Sequence, residues 1–166
     1  MPNILIVCTA NICRSPVGEA VLRQRLQGQQ GADGAEPQWR VSSAGTWAAR
    51  GQAASAYSVE LMAEQGLDIS QHESRPVNEA IMDAADLVLC METGHAEGLR
   101  VEFPQQAYKV YPLTEMAGAV YSVSDPYGGP RSEYQRMVAE VTGLVDAGLP
   151  RIMELALANE QRREPK

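Results

Sequence analysis

The stretch Asn3-Ile4-Leu5-Ile6-Val7-Cys8-Thr9-Ala10-Asn11-Ile12-Cys13-Arg14-Ser15-Pro16 passes from an apolar run into a short polar loop and then to a proline. The run Ile4–Val7 has no polar alternation, so it reads as a strand buried on both faces. Pro16 predicts the first turn of a helix, where the missing N–H of proline is not needed. Strand, loop and helix in that order form the opening unit of a wound α/β sheet. The loop between them can curl until several backbone N–H groups point inward, a nest suited to a tetrahedral anion. The positive end of the following helix adds to that attraction. Arg14 carries a planar fork able to grip two oxygens at once, which lysine cannot do. A thiolate stabilised by such a field is a nucleophile, and Cys8 stands where it would meet the anion. Ser15 can donate its hydroxyl to that sulfur. These residue types at this spacing predict a phosphate cradle over Thr9, Ala10, Asn11, Ile12, Cys13, Arg14 and Ser15, with Cys8 as attacking group. A cysteine that merely ends a buried strand would give the same Cys-x5-Arg spacing. The strand before it and the Ser-Pro helix start after it set this stretch apart.

Working outward, four apolar runs read as buried strands: Asn3–Cys8, Trp39–Ser43, Asp86–Met91 and Tyr108–Tyr111. Helical spacing occupies Pro16 to about Gln27, Ala53–Gln65 with Gly66 as its stop, Val77–Ala84, Thr93–Val101, and Ser132 to about Gln161. Gly148-Leu149-Pro150 should kink or split the last of these. Gln27–Gln38 reads as an exposed loop, and Arg162–Lys166 as a frayed tail. Strands alternating with helices predict a doubly wound α/β fold. Its expected form is three-layered, with a four-stranded parallel sheet and helices on both faces. Ligands in such sheets bind beyond the carboxyl ends of the strands, where the Cys8 loop would lie.

A length of 166 residues suits one domain spanning 1–166. The 45% hydrophobic and 21% charged fractions are those of an ordinary globular chain. With one Phe and two Trp, aliphatic side chains must fill the core. A net charge of −7 speaks against nucleic acid or an anionic membrane as partner, and requires any phosphate site to build its positive potential locally. Three cysteines, an odd number, do not suggest a disulfide framework. With neither a signal-like start nor a bilayer-length apolar run, the expectation is a cytoplasmic protein. No His/Asp/Glu/Cys cluster reads as a metal site, so neither metal nor cofactor is expected.

A thiolate attacking phosphorus needs a proton donor for the leaving oxygen. Asp125-Pro126-Tyr127, on a loop between Ser122 and Pro130, supplies the candidate. Asp-Pro at a loop tip is also a common turn.

Together these motifs resemble the low-molecular-weight protein tyrosine phosphatase family. Ser42-Ser-Ala-Gly-Thr46, Gly66-Leu-Asp-Ile-Ser-Gln-His72-Glu-Ser-Arg75 and Asp86-Leu-Val-Leu-Cys-Met91 follow in the family's order. The resemblance implies hydrolysis of aryl phosphate monoesters on a protein or small molecule. Cys8 would form a phosphocysteine, Arg14 would stabilise the transition state, and Asp125 would act as acid and then base. It implies that Asn11, Ser43 and His72 brace the loop and that Ile12, Tyr127 and Trp47 line the substrate cleft. Packing against the loop is the other reading of Trp47, and His95 reads as a helix-surface residue. It further implies a mostly monomeric, sometimes weakly self-associating enzyme and a reversible Cys8–Cys13 disulfide, although Cys13 reads equally as a packed thiol. Cys90 reads as core.

Ala10 departs from the family's usual glycine. It is strained if the position needs positive φ, and merely narrows the loop if not. Protein-arginine phosphatase is the nearest alternative, but that subgroup has threonine where Ile12 stands. Arsenate reductase of the same fold needs two further cysteines, and only Cys90 lies outside the loop. A silent phosphoprotein-binding module or a thiol sensor would not need Asp125.

Overall fold

The computed structural model describes residues 1–29 and 38–163. Its first element, β1 (Asn3–Cys8), lies in the middle of a parallel sheet. The loop 9–13 joins it to α1 (Arg14–Leu26). There follow β2 (Arg40–Gly45), α2 (Ala56–Glu64), α3 (Glu79–Ala84), β3 (Leu87–Cys90), α4 (Thr93–Glu102), β4 (Val110–Pro112) and α5 (Arg131–Arg163). Short 3-10 turns flank β4 at Pro104–Lys109 and Leu113–Ala117. The strand order is β2-β1-β3-β4, all parallel. This is the doubly wound four-stranded sheet that the alternation of strand and helix predicts.

The pleat of β1 divides the interior in two. Ile4, Ile6 and Cys8 face α1, α2 and α5, packing with Val17, Val21, Leu61, Val141 and Val145. Leu5 and Val7 face the other way, against Met82 of α3 and Ala96 and Leu99 of α4. Successive side chains on opposite faces explain why β1 is apolar throughout. After β1 the chain goes first to β2 on one side, then to β3 on the other. The carboxyl end of β1 is therefore the switch point of the sheet, and Cys8 occupies it.

Several boundaries differ from those read in the sequence. Helix α1 begins at Arg14, so Pro16 lies third in it, still within the turn that needs no donor. Strand β2 extends to Gly45, pairing Ala44 with Val7 and Gly45 with Cys8. Tyr108 belongs to the 3-10 turn before β4, which itself ends on Pro112 at the sheet edge, where a missing N–H is tolerated. Helices α2 and α3 start later than expected, at Ala56 and Glu79. Of the expected loop Gln27–Gln38, residues 30–37 lie outside the described part, as do 164–166 of the tail. Arg162 and Arg163 are helical rather than frayed, and Arg163 pairs with the buried Asp86 (2.8 Å).

The expected break at Gly148-Leu149-Pro150 does not occur: α5 continues through Pro150. Proline removes the bond to the carbonyl of Asp146, but Asp146 and Pro150 are both exposed, so water can satisfy it. Val145 and Ile152 on either side are fully buried and hold the helix together by packing. Gly148 also has a packing reason, for a Cβ there would stand 2.7 Å from Cβ of Met116. Gly148→Ala gains about 0.8–1 kcal/mol of helix propensity but loses about 1–3 kcal/mol to overpacking. Its urea midpoint should fall, whereas that of Gly143→Ala, where a Cβ meets nothing within 4 Å, should rise.

Candidate active site

The loop after β1 is held from outside by its carbonyl groups. Those of Cys8, Thr9, Ile12 and Cys13 accept from Thr46 N (3.0 Å), Trp47 N (2.9 Å), Ser55 N (2.8 Å) and Ser58 Oγ (3.2 Å). The carbonyl of Asn11 accepts from His72 Nε2 at 2.6 Å. In a planar trans peptide the next N–H points opposite to the carbonyl. With five carbonyls turned outward, the N–H groups of Thr9, Ala10, Ile12, Cys13 and Arg14 are turned to the concave side. The close approach of β2 depends on Gly45, where a Cβ would collide with the carbonyl oxygen of Thr9 and lie 2.8 Å from Cβ of Ala48.

Asn11 carries the strain of the turn. Its φ is +58°, the one positive value at a non-glycine among the described residues. Its fully buried side chain fixes that conformation. Nδ2 donates to Ser15 Oγ (2.8 Å) and Ser43 Oγ (2.9 Å), and Oδ1 accepts from Arg75 N (3.0 Å). Asparagine is among the few side chains that enter this region readily. Ala10 is not in it, so the alanine costs no backbone strain. Its methyl lines a surface groove with Thr46 and Trp47.

Ser43 accepts from Asn11 and donates to Glu19 Oε2 at 2.5 Å. Ser15 likewise accepts from Asn11, which leaves its own proton for Cys8 Sγ at 3.0 Å. Cys8 is buried at the floor of the loop. Cys13 is also a free, buried thiol, with Sγ 2.9 Å from Ser55 Oγ and 3.5 Å from the Tyr134 hydroxyl. Burial pushes its pKa up, against the pull of those two hydroxyls. Burial similarly pushes the Tyr134 hydroxyl up to about 12 and raises the Cys90 thiol inside β3.

Arg14 is almost wholly buried, at 1% exposure. NH1 donates to the carbonyl of Val123 (2.7 Å), and NH2 lies 2.9 Å from Glu92 Oε2, 3.4 Å from Thr9 Oγ1 and 3.5 Å from Asp125 Oδ2. Nε has no partner among the described residues. A buried donor left in that state costs about 1–3 kcal/mol, which an anion in the loop would recover. Asp125 is both a turn former and a member of this cluster. Its Oδ1 accepts from Tyr127 N (3.1 Å) while Oδ2 faces Arg14. Trp47 and Tyr127 expose 86% and 70% of their surface, so neither ring is packed beneath the loop. Ile12 is half-buried against the core. The structure thus gathers Cys8, Arg14, Asp125, Asn11, Ser15, Ser43 and His72 around one loop.

Two residues at this site escaped the sequence reading. Glu92 and His95 open α4, just past the end of β3 and beside the end of β1. His95 is buried rather than on the helix surface. Its Nδ1 accepts from Glu92 N (3.2 Å), and Nε2 lies 2.9 Å from Thr9 Oγ1 and 3.1 Å from Glu92 Oε2. The available signal was the pairing Glu-x-x-His immediately after a buried strand, a helix start placed at the switch point. Burial holds the His95 pKa below its ordinary 6.5, with Arg14 acting in the same sense and Glu92 and Asp125 opposing. The folded chain then binds fewer protons than the unfolded one. The stabilisation is full above about pH 6.5 and is lost as pH falls toward the lowered folded value. Denaturation between pH 7 and 5 should show a steeper loss for the native chain than for His95→Gln.

Among the described residues no group of three or more His, Cys, Asp or Glu could hold a metal, and no helix is long and apolar enough to cross a membrane. The profile of the family described as low molecular weight phosphotyrosine protein phosphatase matches residues 3–159. A probable low molecular weight protein-tyrosine-phosphatase EpsP of Ralstonia solanacearum is 35% identical over 92% of this chain and 97% of its own. A protein-arginine-phosphatase of Geobacillus stearothermophilus is 33% identical over 87% and 91%. A crystal structure of a low molecular weight protein tyrosine phosphatase from T. tengcongensis superposes with a TM-score of 0.81 at 36% identity, covering 91% of this chain and 99% of that one.

Proposed function

Because the chain belongs to the low molecular weight phosphotyrosine protein phosphatase family, we propose that it hydrolyses phosphotyrosine or a related aryl phosphate monoester through Cys8. The observation that carries this reading is the convergence of three groups. The Cys8 sulfur is bonded to Ser15, and the buried Arg14 guanidinium closes the same loop through Val123 O and Thr9 Oγ1. The Asp125 carboxyl lies 3.5 Å from that guanidinium.

The phosphate enters with its oxygens against the inward N–H groups and Arg14 Nε. Cys8 Sγ attacks phosphorus in line, and the bond to the phenolic oxygen breaks as Asp125 delivers a proton to it. Ser15 donates to the sulfur, which favours its departure in the second step. There Asp125, now a carboxylate, takes a proton from water as the water oxygen attacks the phosphocysteine. The S–P bond breaks, and inorganic phosphate and the starting thiolate result. The loop N–H groups and Arg14 supply the charge stabilisation throughout, so we propose a reaction independent of added metal.

Exposed rings at Trp47 and Tyr127 and the half-buried Ile12 offer an apolar rim to a substrate ring. The similarity to a protein-arginine-phosphatase supports phosphoarginine as second reading. Turnover of matched phosphotyrosine, phosphoarginine and phosphoserine peptides decides between them. The phosphotyrosine peptide should lead by at least about tenfold in kcat/KM, a difference of roughly 1.4 kcal/mol. A lead for phosphoarginine would transfer the assignment. The rate should be unchanged in excess chelator, and loss restored by a divalent ion would refute the metal-free reaction.

A further inference from the structure

We infer that His95 is a positioning residue for the phosphate site, acting through Thr9 and Glu92 to aim Arg14. The inference rests on the reading of the Cys8–Ser15 loop as a phosphate cradle. His95 Nδ1 faces the backbone N–H of Glu92 at 3.2 Å, so it must accept, and the proton of the neutral ring sits on Nε2. Nε2–H therefore points to Thr9 Oγ1 at 2.9 Å and to Glu92 Oε2 at 3.1 Å. Protonation would set an N–H against the N–H of Glu92. The geometry itself thus opposes the charged ring, in the same direction as its burial.

Glu92 caps α4, and its carboxylate also accepts from the backbone N–H of His95. Held by both N–H groups of His95, the carboxylate takes Arg14 NH2 at 2.9 Å. Arg14 is then fixed at two corners, on Val123 O and on Glu92, which leaves Nε free for the anion. The alternative partner is Asp125, 3.5 Å away. The Glu92 side chain is 37% exposed and long enough to turn to solvent once its tether is lost. Arg14 would then close on Asp125, taking the guanidinium from the phosphate and the acid from the leaving group. His95 prevents that pairing without touching the substrate.

The two ring nitrogens have separable tasks, and two substitutions separate them. Asparagine places an acceptor near Nδ1 and can keep the helix cap; glutamine places an N–H near Nε2 and can keep the bonds to Thr9 and Glu92. Binding of inorganic phosphate by titration calorimetry, thermal midpoint, and kcat and KM for p-nitrophenyl phosphate are measured on His95→Ala, His95→Asn and His95→Gln. His95→Ala should weaken phosphate binding and lower kcat/KM about tenfold each, the worth of one charge-assisted hydrogen bond. His95→Gln should recover both, and His95→Asn should recover only the thermal midpoint. Phosphate affinity within twofold of native in His95→Ala, or recovery of affinity by Asn but not Gln, would overturn the inference and leave His95 a helix cap. If the native chain turned over no phosphomonoester while His95→Ala still weakened phosphate binding, the positioning role would stand and the hydrolase reading would fall.

Discussion

Cys8→Ser should abolish turnover of p-nitrophenyl phosphate, with a loss of at least about 10⁴-fold, while inorganic phosphate still binds the loop. The magnitude follows from what serine cannot do. Its hydroxyl is a weak nucleophile unless an adjacent base takes its proton. The neighbour at hydrogen-bond distance is Ser15, which is itself a donor to this position because Asn11 fills its acceptor role. No carboxylate or imidazole is bonded to Cys8 Sγ among the described residues. The loop itself should be unaffected, since its shape is set by outward carbonyl bonds and by Asn11, none of which involves the sulfur. Phosphate affinity by calorimetry and the thermal midpoint therefore accompany the kinetics. Native-like folding and binding with no turnover assigns the nucleophile, and undiminished turnover removes Cys8 from the mechanism. Native protein mixed with substrate in a quench experiment should also give a phosphoprotein, which Cys8→Ala cannot form.

The β1–loop–α1 unit was legible because each of its parts follows a local rule. A continuous apolar run is a two-sided strand, Pro16 belongs in a first helical turn, and alternation with helices makes the sheet parallel. The order β2-β1-β3-β4 then places the loop at the switch point without further information. Pro150 was misjudged because the local rule lost to packing of buried residues on both sides, with the orphaned carbonyl at an exposed position. The question raised by Ala10 had its answer one residue later. Only the backbone shows that Asn11 takes the positive φ, and only the tertiary bonds from Ser15, Ser43, Arg75 and His72 show why. Glu92 and His95 could not be read as site residues, since their relevance depends on β3 lying beside β1. Across that juxtaposition His95 meets Thr9, 86 residues earlier in the chain.

Asp125→Asn should lower kcat/KM by about 10²–10⁴-fold, the usual worth of a positioned general acid. Asparagine makes the sharper test than alanine because Asp125 holds two tasks. Oδ1 accepts from Tyr127 N and shapes the turn, which an amide oxygen can do equally well. Oδ2 faces Arg14 and is the proposed proton donor, and an amide cannot titrate in its place. Full activity in Asp125→Asn with loss in Asp125→Ala would reduce the residue to a turn former. Loss in both assigns the acid. The leaving group provides a second axis. Nitrophenolate departs with little help, whereas the phenolate of a tyrosine, with an ordinary pKa near 10, needs its proton in the transition state. The deficit of Asp125→Asn should therefore be larger on a phosphotyrosine peptide than on p-nitrophenyl phosphate, by about tenfold or more. An undiminished kcat/KM with a lowered kcat would mean that the carboxyl acts only after the phenol has left, as the base that activates water against the phosphocysteine.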